Sequence, residues 1–187
     1  MSDRVSQTIL LCEDSLHERL AKAYMKQCGL ETQEPYVKPI VASQMQHGGN
    51  VDWVLHEFPK QVHACRQRNK KSKTLLIVLV DADQFTVNER RRQLNERLKQ
   101  AGYEELDASD PTITVLIPRR HVETWVRALL IESVTEEEDC KDWNKPTKDG
   151  IRQAAYTAHQ WARPNATPGL TCVQSLASAL PELRKIG

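Results

Sequence analysis

The stretch KTLLIVLVDADQF, residues 73–85, decides the fold class. Residues 74–80 form an unbroken run of apolar or β-branched side chains, and Asp81 and Asp83 follow it. A run of this length and composition predicts a strand that is covered on both faces, as in a parallel sheet. Open parallel sheets place their ligand sites at the carboxyl ends of the strands. The two aspartates are therefore candidates for holding a metal, receiving a phosphate or capping the next helix.

Strand and helix patterns alternate on both sides of this stretch. A helical pattern follows each of the other three candidate strands, which are TILLC from Thr8, YVKPIVAS from Tyr36 and TITVLIP from Thr112. This alternation predicts an α/β, Rossmann-like domain with a mainly parallel four-stranded sheet, flanked by helices and built from right-handed crossovers.

Local signals refine this prediction. Ser15 is the expected N-cap of the first helix, with Glu18 three residues later as in a capping box. Pro39 cannot donate to a ladder, which favours an edge position for the second strand. Pro59 is expected to kink or split the helix that follows.

The pattern divides the chain into two parts. Residues 1–134 are predicted to form the α/β domain. Residues 135–187 are predicted to form an acidic connection, TEEEDCKDW, and a helical C-terminal extension packed on that domain.

Composition excludes several classes of protein. The 26 Lys and Arg nearly cancel the 25 Asp and Glu, so no global field attracts nucleic acid or a membrane. The five cysteines are scattered without a CxxC pair, which argues against a zinc ribbon and a disulfide framework. We expect no signal peptide, no membrane association and a cytoplasmic location, because no apolar run approaches the ~18 residues of a membrane helix.

Ionisable residues follow three of the four predicted strands. They are Glu13 and Asp14, then Asp81 and Asp83, then Arg119, Arg120, His121 and Glu123. Neighbouring parallel strands would bring these residues to one edge, where clustered carboxylates repel one another and attract a cation. Oxygen ligands without Cys or His at a matching spacing favour Mg²⁺ or Mn²⁺. The expected ligands are Glu13, Asp81 and Asp83, although residues of this kind also cap helices and form turns.

Four arginines are candidates for contacting substrate phosphates. Arg90 and Arg91 lie in the helix after Asp83, and Arg119 and Arg120 follow the fourth strand. Charges on an exposed helix also face water without any role. His121 is a candidate proton carrier or a structural histidine.

The segments LLCEDSLHERL, LLIVLVDAD and HVETWVRALL together resemble the Toprim fold. More narrowly, the chain resembles small stand-alone Toprim-like proteins related to the OLD (overcoming lysogenization defect) nucleases. The resemblance matches Glu13 to the glutamate that ends the first Toprim strand, and Asp81 and Asp83 to the Asp-x-Asp that ends the third. It matches Glu18 to a second acid one turn into the first helix.

The resemblance extends to the end of the chain and has one departure. Glu123 and Trp125 match a glutamate and tryptophan after the fourth strand, and the tail CVQSLASALPELRKI is similar to the ending of these relatives. Asp14 stands where they usually have glycine. It either adds a carboxylate to the site or indicates a remodelled one.

The resemblance implies Mg²⁺-dependent cleavage or joining of nucleic-acid phosphodiesters. Many OLD-like Toprim proteins work with an ATPase, often in defence against phages. The chain has no GxxxxGK[ST] motif, so that ATPase is expected to be a separate subunit. The sequence leaves homo-oligomer formation open.

Two alternatives remain. One is a catalytically degenerate Toprim-like toxin or binding subunit. The other is a receiver-type phosphoacceptor domain, in which Asp81 or Asp83 is phosphorylated. The separation of Glu13 from Asp81 is far longer than one strand-helix-strand crossover requires, which argues against a receiver domain, as does the lack of a lysine after a late strand.

Overall fold

The fold is an α/β sandwich of three layers. The computed structural model describes residues 5–44, 50–138, 140 and 143–187. Within this part of the chain, six α-helices flank a four-stranded parallel sheet. This confirms the predicted fold class and the C-terminal helices.

The elements alternate through the first four strands. In chain order they are β1 (Gln7–Cys12), α1 (Ser15–Gln27), β2 (Val37–Val41), α2 (Val51–Asn69), β3 (Thr74–Leu79), α3 (Val87–Gln100), β4 (Ile113–Leu116), α4 (Val122–Leu129), α5 (Lys148–Ala162) and α6 (Gln174–Arg184).

The strand order places the ionisable residues side by side. The order is β2-β1-β3-β4, with every pair parallel. Cys12, the last residue of β1, is in register with Leu79, the last residue of β3. The chain beyond these two residues therefore carries Glu13 and Asp81 to the same edge of the two central strands.

The sheet is covered on both faces, as the apolar β3 predicts. Alternate residues of β3 enter different cores: Ile77 and Leu79 pack with α1, α4, α5 and α6, and Leu76 and Val78 pack with α2 and α3. All six residues of β3 are buried. Burial on both faces removes the need for a polar alternation.

Two local predictions need correction and one is confirmed. The N-cap of α1 is Asp14 and not Ser15, because Oδ1 of Asp14 accepts hydrogen bonds from the first turn. Pro59 does not split its segment: α2 is one helix of 19 residues that continues through buried Pro59. Pro39 lies in edge strand β2, as predicted.

The C-terminal helices share a core with the sheet. Residues of α5 and α6 pack in the same apolar cluster as α1 and α4. The buried hydroxyl of Ser175 in α6 accepts hydrogen bonds from Nε1 of Trp125, at 2.8 Å, and from the backbone N–H of Arg119, at 3.3 Å. The end of the chain thus supports the segment that follows β4. The division into parts at residue 134 stays a prediction.

None of the helices in the described ranges has the length and apolar character needed to cross a membrane.

Candidate metal centre and strand-end cleft

A buried histidine lies between two of the predicted site carboxylates. His17 is in the first turn of α1, and its side chain is only 1% exposed. Its Nδ1 lies 2.7 Å from Oδ1 of Asp14, and its Nε2 lies 3.0 Å from Oδ1 of Asp81. The start of α1 therefore joins the end of β1 to the end of β3.

A second histidine continues this network. Nδ1 of His121, at the N-cap of α4, lies 3.9 Å from Oδ2 of Asp81. Asp81 is buried, and each of its carboxylate oxygens faces a histidine: Oδ1 faces His17 and Oδ2 faces His121. The result is a row of four groups, Asp14–His17–Asp81–His121, of which only Asp14 is half-exposed.

The charges of this row stabilise one another. Burial alone would lower the pKa of His17, but Asp81 and Asp14 outweigh it and hold that pKa well above its ordinary value. Burial opposes ionisation of Asp14 as well, yet its bonds to His17 and the helix start lower its pKa to about 2. The pKa of Asp81 is lowered despite burial, through His17 and His121. The two neighbouring carboxylates therefore favour the protonated form of His17.

Glu13 is the carboxylate with the least compensation. Burial, followed by the charge of Asp81, raises the pKa of Glu13 to about 7, and His17 only partly offsets this. Its Oε2 is buried and has no hydrogen-bond partner among the described residues. Near neutral pH this carboxyl group can accept or release a proton.

The donor set tests the predicted metal site. One potential ligand atom each from Glu13, His17 and Asp81 lies within 4.8 Å of the other two, and these three residues are called the metal group below. Two carboxylates and an imidazole fit a divalent cation, and the nitrogen favours Mn²⁺ or another transition ion over Mg²⁺. The predicted ligands Glu13 and Asp81 are in this group, and predicted Asp83 is not.

Asp83 lies beside the group, in a different environment. Its backbone has a φ of 56°, in the left-handed region that non-glycine residues seldom adopt. The backbone is therefore no longer extended at Asp83, although the N–H of Ala82 still donates to the carbonyl oxygen of Pro118 beyond β4. The half-buried Asp83 side chain lines an open cleft.

The cleft has a volume of about 700 Å³ and lies at the carboxyl ends of the strands. It carries both acidic and basic side chains, which are Glu13, Asp52, Asp83, Arg90, Arg119, Arg120, His121 and Glu137. Asn50 and Val51, at the start of α2, also line it. The predicted meeting of strand-end residues is thus present, and Glu13 is the member of the metal group that reaches the cleft.

Three of the four predicted phosphate-binding arginines reach the cleft. Arg119 donates to the carbonyl oxygens of Asp83 and Phe85, and Arg120 donates to that of Glu137. Arg90 is buried, and donates to the carbonyl oxygens of Asp81 and Ala82 at 3.0 and 3.1 Å. These contacts clamp the loops that form the cleft walls.

Arg91 lies elsewhere. Its guanidinium donates to the carbonyl oxygen of Val115 and lies 3.9 Å from a carboxylate oxygen of Glu182 in α6. It lines a separate small pocket. The adjacent helical positions of Arg90 and Arg91 point them to different surfaces.

Glu18 and Glu123, the two further acids that the resemblance matches, lie in different environments. Glu18 forms an ion pair with Lys22, one turn later in α1, at 2.6 Å. Half-buried Glu123 begins α4, and burial together with Asp81 and Asp14 raises its pKa. Glu123 is thus electrostatically coupled to the buried row.

Sequence reasoning missed His17. The spacing of Asp14 and His17, three residues apart at a helix start, places both on one face and is the signal that could have found it. The predicted oxygen-only ligand set therefore did not consider the imidazole that lies between Asp14 and Asp81.

The chain has no match among protein-family models, curated proteins or solved structures. The relationship to Toprim and OLD-like proteins therefore stays a hypothesis.

The spacing argument against a receiver domain needs correction. Glu13 and Asp81 follow β1 and β3, and the whole of β2 and α2 lies between them. Two crossovers, not one, account for their separation. The evidence against phosphorylation is now local, because Asp81 is buried between two histidines and no lysine is among the described residues that line the cleft.

Proposed function

We propose that the protein is a metal-dependent phosphodiesterase that acts on nucleic acid. The observation that carries this proposal is the strand-end cleft, where Glu13, one member of the group formed with His17 and Asp81, shares the lining with Arg119 and Arg120. A divalent cation and fixed guanidinium groups are two common means of stabilising the charge of a reacting phosphate. Glu13 would link a cation held by the buried group to the phosphate held by the arginines.

Glu13 and Asp81 would hold Mg²⁺ or Mn²⁺, with His17 beside them. The ion supplies a Lewis acid for the phosphate and lowers the pKa of a bound water. Glu13 lies at the boundary between this group and the cleft; without an ion its pKa is raised to about 7, and a bound ion would favour its ionised form. His121 lines the same cleft next to Asp81 and would be the candidate proton carrier.

The arginines would position the substrate. Arg119 and Arg120 line the cleft and are partly exposed, and each is held by loop carbonyl groups. A guanidinium fixed in this way can donate to a phosphate at little further cost in side-chain entropy. Arg90 would act indirectly, since its donors hold the backbone of Asp81 and Ala82.

The protein would work as the effector subunit of a phage-defence system with a separate ATPase. Lys and Arg balance Asp and Glu across the chain, so phosphate neutralisation gives weak nonspecific affinity for nucleic acid. A partner that binds nucleic acid would overcome this weakness. A non-cutting toxin-like or binding subunit is the rival hypothesis.

Cleavage by the purified chain tests the enzymatic proposal. We expect cleavage of DNA or RNA with Mn²⁺ or Mg²⁺, and at least about a 100-fold loss of rate in Glu13→Gln, because it removes a charged ligand of the ion. Asp52→Asn is the matched control, since Asp52 lines the cleft outside the metal group.

Equal cleavage by wild type and Glu13→Gln would place the activity elsewhere. If the wild-type chain cleaves nothing with either ion, alone or with an ATPase encoded beside it, the non-cutting subunit becomes the better hypothesis. Strong binding at physiological salt without a partner would contradict the effector proposal.

A further inference from the structure

The metal group contains a nitrogen donor with ligand-like spacing. Nε2 of His17 lies 3.0 Å from Oδ1 of Asp81. Two ligands about 2.1 Å from one ion and about 90° apart are separated by about 3.0 Å, so these atoms can be neighbours in one coordination sphere. Glu13 brings a third donor atom within 4.8 Å of both.

Asp14 orients the imidazole ring of His17. It hydrogen-bonds Nδ1 of His17 at 2.7 Å, which leaves Nε2 facing Asp81. The same Asp14 oxygen accepts the backbone N–H groups of Leu16 and His17, which fix its position. Metal-binding histidines usually donate their second ring N–H to a carboxylate in this way, and that partner sets the tautomer and the ring orientation.

An independent observation at Glu13 points to a cation. Its buried Oε2 has no hydrogen-bond partner in the described part of the chain. A buried carboxylate oxygen in this condition costs free energy unless a ligand contacts it. His17 contacts Asp14 and Asp81, so its charge leaves this oxygen without a direct partner.

We propose that Glu13, His17 and Asp81 form a transition-metal site selective for Mn²⁺ or Zn²⁺ over Mg²⁺, with Asp14 as the positioning residue for His17. This inference rests on the proposed function, since it names the class of ion for the same site. Imidazole suits transition ions, whereas Mg²⁺ prefers oxygen ligands and retains its waters. On binding, Nε2 of His17 gives its proton to solvent and its electron pair to the ion, while Nδ1–H still donates to Asp14.

Direct binding of Mn²⁺ without nucleic acid tests the site. The chelator-treated 187-residue chain is titrated with Mn²⁺, and free Mn²⁺ is followed by its electron paramagnetic resonance signal. We expect one Mn²⁺ per chain and displacement by Zn²⁺, but by Mg²⁺ only in large excess. Pulsed spectra of the wild-type complex should show coupling to a directly bound ¹⁴N.

Two variants locate that nitrogen. Asp14→Asn keeps a good N-cap for α1 but loses the charge that orients His17, so Mn²⁺ affinity should fall about 10- to 100-fold. His17→Gln should abolish the ¹⁴N coupling. His63→Gln is the control, because His63 stacks on Tyr103, which packs in the apolar core on the α2–α3 side of the sheet.

The outcomes separate this inference from the proposed function. Equal affinities for Mg²⁺ and Mn²⁺ without ¹⁴N coupling in wild type would overturn the site, even if His17→Gln does not fold. Wild-type affinity in Asp14→Asn would overturn the role of Asp14. Nitrogen coupling without any cleavage would support the transition-metal site and contradict the proposed nuclease activity. Cleavage supported by Mg²⁺ without nitrogen coupling would support the nuclease activity and contradict the transition-metal site.

Discussion

Asp81 and Asp83 are separated by one residue, yet they belong to two different regions of the molecule. Asp81 lies in a buried network on the α1 side of the sheet, where His17 and His121 face its two oxygens. Asp83 lies in the wall of an open cleft, with a left-handed backbone. The difference teaches that a strand-end motif can serve two purposes: the first carboxylate builds a rigid charged centre, and the second faces the substrate side.

The two regions also balance charge differently. In the buried network, the charge of His17 lies between Asp14 and Asp81. In the cleft, Arg119 forms an ion pair with mostly exposed Glu137, where solvent screens the interaction. Removal of a carboxylate should therefore cost far more in the buried network than in the cleft.

The largest expected effect is on stability when Asp81 is truncated. Asp81→Ala leaves buried His17 and His121 without their shared carboxylate, which should lower the free energy of unfolding by about 3 kcal/mol. Urea denaturation at pH 7 measures this loss. Asp83→Ala is the matched variant and should lose less than about 1 kcal/mol. Equal losses in the two variants would break the contrast between the regions.

A smaller effect is expected on how stability depends on pH, through the ionisation of Glu13. The pKa of Glu13 is raised from 4.5 to about 7 in the folded protein. The protonated side chain therefore contributes stability below about pH 4.5, and that contribution is lost as the pH rises through 7. Glu13→Gln cannot ionise and avoids this loss.

We compare the melting temperatures of Glu13→Gln and wild type in the presence of a chelator. The difference, variant minus wild type, should increase as the pH is raised from 5 to 8. The chelator matters because a bound cation would favour the ionised carboxylate. Glu18→Gln serves as the control, since Glu18 pairs with Lys22 away from the metal group. A constant difference across this pH range would show that Glu13 is not destabilised by ionisation.

The sequence was sufficient for the fold because its signals are local and strong. The apolar run of β3 requires cover on both faces, and alternation with helices then defines a parallel sheet. It was also sufficient for placing Glu13 and Asp81 together, since parallel strands share one carboxyl edge. Pro59 misled because apolar residues on both sides of it, such as Phe58 and Val62, are buried in the core and favour a continuous α2 despite the lost hydrogen bond.

The composition of the site required the structure. His17 is three residues from Asp14 in sequence, but its contact with Asp81 depends on how α1 packs across β1 and β3. The direction of Asp83 depends on a single backbone angle that no local pattern specifies. Arg90 and Arg91 are neighbours in one helix, and only the packing of α3 shows which of them reaches the cleft.

The smallest expected effect is that of Asp83→Gly, and it sharpens the contrast between the two aspartates. Glycine adopts a φ of 56° without strain, whereas alanine retains a Cβ in the left-handed region. Asp83→Gly should therefore be more stable than Asp83→Ala by up to about 1 kcal/mol, although the greater freedom of the unfolded chain offsets part of the gain. Mn²⁺ affinity should stay within about threefold of wild type in both variants, because Asp83 lies outside the convergent group. A much larger loss of affinity in both would make Asp83 a ligand, as its Asp-x-Asp spacing predicts, and would join the cleft and the buried network into one metal centre.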